Sequence, residues 1–304
     1  MKFGVNLINF GPGVNQGSLT QWIKESETLG YHLVMTSDHI AITEDVQGRY
    51  PAPFYEPIST LGWMAGITKT IEIGTTVLIA PYRHILETAK ACATIDQLSS
   101  GRLICGFGVG WSHQEYASLG IPFKSRGAIT DEYLEALRIL WSQEVASYHG
   151  RYVSFENIHT APSPLRSFPP IWIGGASDAA LRRAVKFGDA WHPIRIEMDW
   201  FKNSGIPKLN HFAQEAQMPA PRLCPRIKVD VTQSDAPENG RLVGHGSLKQ
   251  IREDLLELEE LGCEYVVLDT YNEDYTSSDH ALHGLPLLSI LSDSVIDLSS
   301  QTVK

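Results

Sequence analysis

Apolar runs alternate with amphipathic helical patterns along most of the chain. At 71–111, an apolar run ends near Pro81, a helical pattern follows to about Leu98, and a second apolar run breaks into glycines. This order predicts strand, helix and strand, and two apolar strands that both need helical cover indicate a parallel sheet. Eight apolar runs are predicted as strands: 3–8, 32–36, 71–78, 103–107, 171–173, 189–192, 226–231 and 265–269.

The repetition of strand and helix predicts the fold. Eight such repeats in 304 residues favour an α/β fold, a TIM (β/α)8 barrel that forms a single domain over 1–304. An open doubly wound sheet is the alternative. After the fourth strand, about 144–170 is rich in proline and aromatic residues, so we expect an insertion that forms an extended excursion or a hairpin. We expect a polar tail at about 292–304.

Composition restricts the classes of function. The formal charge of −10 argues against a nucleic-acid partner, because such a partner needs a basic surface. No run approaches the roughly 20 apolar residues of a membrane span, and the N-terminus lacks a signal-peptide pattern. The four cysteines have neither metal-site nor redox spacing. We therefore expect a cytoplasmic protein with no bound metal, no nucleic-acid partner and no membrane partner.

The ends of the second and third strands carry residues suited to proton transfer and binding. Ligands of parallel α/β folds bind at the carboxyl ends of the strands, and Asp38 and His39 follow the second strand. Imidazole transfers protons well near neutral pH, although Asp38 could equally cap a loop while His39 packs. Tyr82 and Arg83 follow the third strand and could contact a substrate, or they could belong to a helix-start loop. His192 is expected to be structural.

Two glycine clusters lie at the ends of the fourth and fifth strands. The first runs from Gly106 to Gly110, but Trp111 occupies the last glycine position of a dinucleotide-binding fingerprint. Close backbone approach to a planar or anionic group is the expectation there. The second, Gly174 and Gly175, precedes a predicted helix and would present free N–H groups to a phosphate; a simple tight turn is the alternative.

Several familiar motifs are missing from the chain. It has no GxSxG nucleophile elbow, no P-loop and no HExxH zinc motif. A hydrolase built on a barrel is therefore disfavoured.

Taken together, the motifs resemble those of the luciferase-like monooxygenase family of flavin- and F420-dependent oxidoreductases, most closely its F420-dependent branch. The matching segments follow family order from about residue 1 to 269. They are KFGVNL, TSDHI, IGTTVLIAPYRH, ATIDQLSSGRLICGFGVGW, WIGGAS, GDAWHP and LVGHGSLKQI.

The resemblance implies a TIM barrel with an insertion after the fourth strand and a cofactor, F420 or FMN, on its C-terminal face. It implies that His39 is catalytic as a proton donor. It also implies a cis peptide bond between Thr76 and Val77, behind the cofactor ring. The cofactor-binding residues implied are Asp38, Thr76, Val77, Val109, Gly110, Gly174, Gly175, Ala176 and Ser177.

One position departs from part of the family. The sugar-phosphate dehydrogenases that the chain resembles have a catalytic glutamate directly after the glycines of the fourth strand, where this chain has Trp111. Glu115 lies four residues later and is not a clear replacement. A sugar phosphate is therefore disfavoured, and an apolar or aromatic substrate beside Tyr82 and Trp111 is expected.

These observations predict an oxidoreductase that uses F420 to transfer a hydride to or from a small organic substrate. The alternative is a monooxygenase that uses reduced FMN, supplied by a separate reductase, and the motifs do not separate the two cofactors. A non-catalytic flavin-binding homologue is a further alternative. The resemblance also implies a homodimer formed through the helices after the second and third strands.

Overall fold

Eight strand positions pair in parallel around a closed barrel in the computed structural model, which describes residues 1–271 and 281–304. The predicted TIM barrel is therefore confirmed. Its strands and short accessory strands are β1 (Lys2–Leu7), β2 (Leu33–Thr36), β3 (Glu72–Thr75), β4 (Leu78–Ile79), β5 (Leu103–Gly108), β6 (Val145–His149), β7 (Ser154–His159), β8 (Ile171–Gly174), β9 (Ala190–His192), β10 (Arg222–Leu223), β11 (Arg226–Lys228), β12 (Asp230–Val231), β13 (His245–Gly246), β14 (Tyr265–Asp269), β15 (Ile296–Asp297) and β16 (Thr302–Val303).

Helices cover the outside of the barrel. In the described part of the chain they are α1 (Gln16–Leu29), α2 (Glu44–Gln47), α3 (Pro57–Ile67), α4 (Ile85–Leu98), α5 (His113–Ser118), α6 (Arg126–Ser142), α7 (Asp178–Phe187), α8 (Met198–Trp200), α9 (Ile206–Glu215), α10 (Leu248–Glu260) and α11 (Leu285–Ser294). None of these has the length and apolar character needed to cross a membrane.

The barrel closes through an interrupted strand. β10 pairs with β9, and β11 pairs with β14, so that Cys224 and Pro225 lie at the break between the two halves. Backbone hydrogen bonds continue across the break, from Cys224 N to Trp191 O at 2.9 Å and from Val267 N to Pro225 O at 2.9 Å. The interrupted strand thereby connects β9 to β14 and closes the barrel.

Two predicted strands are each divided in the structure. The run 71–78 forms β3 and β4, separated by Thr76 and Val77, whose peptide bond is cis as the resemblance implied. The run 226–231 forms β11 and β12, which pair with different strands. Continuous apolar character predicted single strands because it carries no signal for a bulge.

The predicted insertion contains an antiparallel hairpin, β6 and β7. Glu132 on α6 holds its turn, since its carboxylate accepts hydrogen bonds from the backbone N–H groups of Arg151, Tyr152 and Val153 at 2.6–3.0 Å. The segment expected as a polar tail is folded. α11 extends to Ser294, and the hairpin of β15 and β16 that follows buries Ile296 completely.

The interior of the barrel changes character along its axis. One part is an apolar cluster, and toward the carboxyl ends of the strands a connected polar network takes its place. The apolar cluster comprises Leu33, Met35, Ile104, Trp172, Ala190, Cys224, Tyr265 and Val267. The network includes Asn6, Thr76, His192, Arg226 and Asp269. This polar layer supports the face on which ligands of such barrels bind.

Candidate active site

A cavity of about 240 Å³ opens at the carboxyl ends of the barrel strands. It brings together most of the residues singled out in the sequence, although they come from four different strands. Those among its lining are Asp38, His39, Thr76, Val77, Val109, Gly110, Trp111, Gly174 and Gly175. Gly108, from the glycine cluster singled out at the end of the fourth strand, also lines it. Residues that line it without having been singled out are Ser37, Tyr50, Phe54, Ile79, Ile194 and Arg226.

The floor of the cavity is formed by Val77, at the break between β3 and β4. A Cβ atom on Gly106 would overlap the carbonyl oxygen of Thr75, and one on Gly108 would overlap the side chain of Val77. A Cβ on Gly174 would lie 3.0 Å from Val77 Cγ1. Gly106 and Gly108 thus make room for the neighbouring strand at Thr75 and Val77, while Gly108 and Gly110 also line the cavity.

An ion pair inside the barrel supports this floor from below. Arg226 donates to Asp269 Oδ2 from Nε at 3.0 Å and from Nη2 at 2.6 Å, and Asn6 donates to Oδ1 at 2.9 Å. Nη1 of Arg226 also donates to the carbonyl oxygen of Thr76 at 2.9 Å. The guanidinium therefore fixes the backbone directly before Val77.

His192 holds the side chain of Thr76 from the other side. The Oγ1 atom of Thr76 lies 2.8 Å from His192 Nε2, and His192 Nδ1 lies 2.5 Å from the carbonyl oxygen of Cys224. Burial lowers the pKa of His192 to about 4, so its imidazole is neutral near pH 7. A neutral ring then donates from Nδ1 and accepts at Nε2. This agrees with the structural role expected for His192.

His39 contacts a buried carboxylate that the sequence did not identify. Glu115 on α5 is completely buried, and its Oε2 lies 2.6 Å from His39 Nδ1. The Tyr82 hydroxyl donates to the same oxygen at 2.8 Å, while Oε1 accepts from the backbone N–H groups of Ile40 at 2.6 Å and Ala41 at 3.0 Å. Burial alone would raise the pKa of Glu115, but these hydrogen bonds outweigh it and lower the pKa.

The surroundings of Glu115 explain why it was missed. Ser112 caps α5, and its hydroxyl accepts from Glu115 N at 2.9 Å. Ser and Glu at this spacing are typical of an ordinary helix cap, in which the carboxylate accepts a hydrogen bond from the backbone N–H of the cap residue. The carboxylate instead reaches a loop 75 residues earlier in the chain. Tyr82, expected beside the substrate, lies behind Glu115 and is buried.

Three aromatic rings surround His39 on the cavity side. The ring centroid of His39 lies 5.5 Å from that of Tyr50, 5.4 Å from that of Phe54 and 5.6 Å from that of Trp111. Tyr50 and Phe54 come from the long connection between β2 and α3, where no periodic pattern marked them. Flat apolar walls of this kind favour a flat or apolar ligand.

Asp38 is committed to an ion pair. Its carboxylate accepts a bidentate hydrogen bond from Arg83 at 2.8 and 2.9 Å and a third from Ile79 N at 2.8 Å. Arg83 also pairs with Glu56 at 2.7 Å. Burial raises the pKa of the Asp38 carboxyl, and the pairing with Arg83 opposes that rise. Asp38 reaches the cavity lining, but its oxygens are already bonded within the protein.

The predicted phosphate turn lies at one edge of the cavity. Gly175 has φ of 103°, a conformation that favours glycine, and its carbonyl oxygen accepts from Trp191 Nε1 at 2.8 Å. Ser177 caps α7 by accepting from Ala180 N at 3.3 Å. Gly174 and Gly175 line the cavity, whereas Ala176 and Ser177 are exposed just beyond it. The start of α7 is therefore open to a group that extends out of the cavity.

A second cavity of about 320 Å³ adjoins the first. The two share Tyr50, Ile194 and Arg226 in their linings, and Asp269 lines the second. A ligand larger than the first cavity could therefore extend past Arg226.

Comparison with known proteins identifies the family to which this barrel belongs. The sequence model of the luciferase-like monooxygenases matches residues 1–239, more than half of the chain. The chain belongs to the luciferase-like monooxygenase family. The resemblance inferred from the motifs is thereby confirmed. This luciferase-like chain is 28% identical over 212 residues to an uncharacterized protein of Mycobacterium tuberculosis, a match that covers 66% of this chain and 74% of the relative.

Solved structures agree with the fold. An F420-dependent secondary alcohol dehydrogenase in complex with an F420–acetone adduct has a TM-score of 0.73 at 17% identity, covering 92% of this luciferase-like chain and 96% of the other. The oxygenating constituent of 3,6-diketocamphane monooxygenase from Pseudomonas putida, in complex with FMN, has a TM-score of 0.73 at 18% identity, covering 95% and 97%. At such identities the likeness shows the barrel, while both cofactors occur among the neighbours.

Proposed function

We propose that this protein is an oxidoreductase that binds F420 in the cavity above Val77 and transfers a hydride to or from a small apolar or aromatic substrate. The observation that carries the proposal is the position of His39. Its ring borders the cavity, and Nδ1 is held by Glu115. Nε2 is thus the ring nitrogen available to exchange a proton with a bound molecule.

The residues present fit a flat ring followed by a charged tail. Val77 forms an apolar floor, and Gly174 leaves space that a Cβ atom would fill. The open start of α7 at Gly174, Gly175, Ala176 and Ser177 would receive the phosphate through backbone N–H groups and the helix dipole. When bound, F420 supplies a hydride acceptor or donor, whereas reduced FMN supplies oxygen chemistry.

The protein's own contribution is orientation and proton transfer. His39 would donate a proton through Nε2 or accept one there, according to the direction of the reaction. Trp111, Tyr50 and Phe54 would exclude water and press the substrate against the ring. A reduced-FMN monooxygenase with a separate reductase is the second candidate, because a structural neighbour of the same fold contains FMN.

Cofactor titration tests the proposal. We expect F420 to bind the purified protein more tightly than FMN, as measured by quenching of cofactor fluorescence, and to be turned over with an alcohol, carbonyl or unsaturated substrate. Tighter FMN binding with oxygen consumption would favour the monooxygenase. Binding of either cofactor without turnover of any substrate tried would favour a non-catalytic homologue, and binding of neither would refute all three.

Changing Gly174 to Ala should weaken cofactor binding about tenfold. The new methyl group would lie 3.0 Å from Val77 Cγ1 at the edge of the cavity, and an overpacked contact of this kind costs about 1–3 kcal/mol. Titration of each variant with F420 and FMN measures the effect. Gly127→Ala on α6 is the matched control, because its Cβ meets only ordinary contacts. Equal affinities in the two variants would contradict the placement of the cofactor.

We propose further that the protein forms a homodimer through α3. This helix contains no charged residue, and its partly exposed side is formed by Ile58, Gly62, Trp63 and Ile67. Trp63→Glu is expected to convert the dimer to a monomer, because it would bury a charge without a partner. Light scattering after gel filtration measures the mass. A monomeric wild-type protein, or a variant that stays dimeric, would contradict the assignment.

A further inference from the structure

We infer that Glu115 is a positioning residue that fixes the tautomer of His39, with the proton on Nδ1 and Nε2 free to face the cavity. The inference rests on the proposed function for its catalytic meaning, but the tautomer itself can be tested without a cofactor. A neutral imidazole carries its proton on one nitrogen, and the partner of the other nitrogen decides which.

The contacts of Glu115 are compatible with only one position of the proton on His39. Its carboxylate is deprotonated, since four donors converge on it, and a carboxylate can only accept hydrogen bonds. The short distance of 2.6 Å to His39 Nδ1 therefore requires a proton on Nδ1. In the described part of the chain no hydrogen bond forms at Nε2.

The same carboxylate also fixes the position of the ring. Its other oxygen accepts from the backbone N–H groups of Ile40 and Ala41, which directly follow His39. Glu115 thus holds the side chain of His39 and the loop that carries it as one unit. Its charge also compensates the positive charge that develops when Nε2 receives a proton.

This arrangement accounts for the departure at Trp111. A glutamate directly after the glycines of the fourth strand is absent here, and Trp111 instead packs 5.6 Å from the His39 ring. Glu115, on the first turn of α5, contacts Nδ1 of the ring and does not line the cavity that Tyr50, Phe54 and Trp111 line. The cavity side of His39 can then remain apolar while its charge is balanced from behind.

Glu115→Gln is the decisive variant. The side-chain oxygen of Gln can still accept from Ile40 N and Ala41 N, so its amide nitrogen must face His39 Nδ1. An amide nitrogen only donates, and the proton of His39 should therefore move from Nδ1 to Nε2. Nitrogen NMR of histidine-labelled protein without cofactor, at a pH where the ring is neutral, should show the two ring shifts exchanging places. A His39→Gln sample assigns the signals.

Tyr82→Phe is the matched control. It removes one hydrogen bond to Glu115 Oε2 but leaves the carboxylate, so the proton should stay on Nδ1. With cofactor and substrate we expect Glu115→Gln to lower kcat roughly 100-fold with little change in cofactor affinity, because the wrong tautomer faces the substrate. Tyr82→Phe should lose less than tenfold.

Three outcomes would overturn the inference. A wild-type protein whose His39 carries its proton on Nε2 would do so without any variant, even if Glu115→Gln fails to fold. A Glu115→Gln variant in which His39 keeps its proton on Nδ1 would also overturn it. So would a Glu115→Gln variant in which the proton moves to Nε2 without loss of kcat. If no cofactor binds the wild type, the proposed function fails while the NMR result still decides the role of Glu115.

Discussion

His39→Ala is expected to lower turnover roughly 1,000-fold while changing cofactor affinity by less than tenfold. A positioned proton donor contributes about 10²–10⁴ to the rate, and His39 is the only histidine among the described residues that line the cavity. The side chain of Asp38 is bonded to Arg83, and that of Thr76 is bonded to His192. Stopped-flow measurement of cofactor reduction, together with a binding titration of the same sample, separates the two effects.

His149→Ala serves as the matched control for that experiment. His149 lies on the β6–β7 hairpin, and its side chain is 63% exposed, so the same substitution there should change neither turnover nor binding. A His39 variant with wild-type turnover would remove the imidazole from the mechanism. A variant that loses binding as strongly as turnover would make His39 a cofactor ligand rather than a proton donor.

The sequence predicted the barrel because the barrel is built from local signals. Each apolar run needs only its own residues to be recognised, and the eight predicted runs overlap β1–β5, β8, β9, β11, β12 and β14, with breaks at Thr76 and Val229. The short strands β10 and β13 were not predicted. A bulge leaves no mark in hydrophobicity, since Val77 is as apolar as its neighbours. The glycines of β5 were visible, but the reason for them, the approach of Val77, lies on another strand.

The site was predicted only in part because its chemistry depends on pairs that are distant in the chain. His39 and Trp111 carried motifs and were found. Glu115 was set aside because it lies four residues beyond the position at which a catalytic glutamate was sought, and its contact with His39 spans 76 residues. Arg226 stood in an ordinary strand pattern, and only the closed barrel brings it under Thr76, 150 residues away.

Asp38→Asn is expected to lower the free energy of unfolding of the cofactor-free protein by about 3 kcal/mol. Asp38 and Arg83 are almost completely buried, and removing one charge leaves the guanidinium with only the half-exposed Glu56. Urea denaturation followed by circular dichroism measures the change. Asp178→Asn is the matched control, because the pair of Asp178 with Lys208 is exposed on both sides and should contribute little.

This second prediction separates two roles that the sequence could not distinguish. If Asp38 were a cofactor ligand, the Asn variant would lose affinity for the cofactor but keep the stability of the empty protein. In the structure, two neighbouring residues after β4 support the loop after β2, one directly and one through Glu115 of α5. Arg83 pairs with Asp38, and Tyr82 donates to the carboxylate that holds His39. The loss of stability should therefore be accompanied by a loss of turnover, because Asp38 anchors the loop that presents His39 to the cavity.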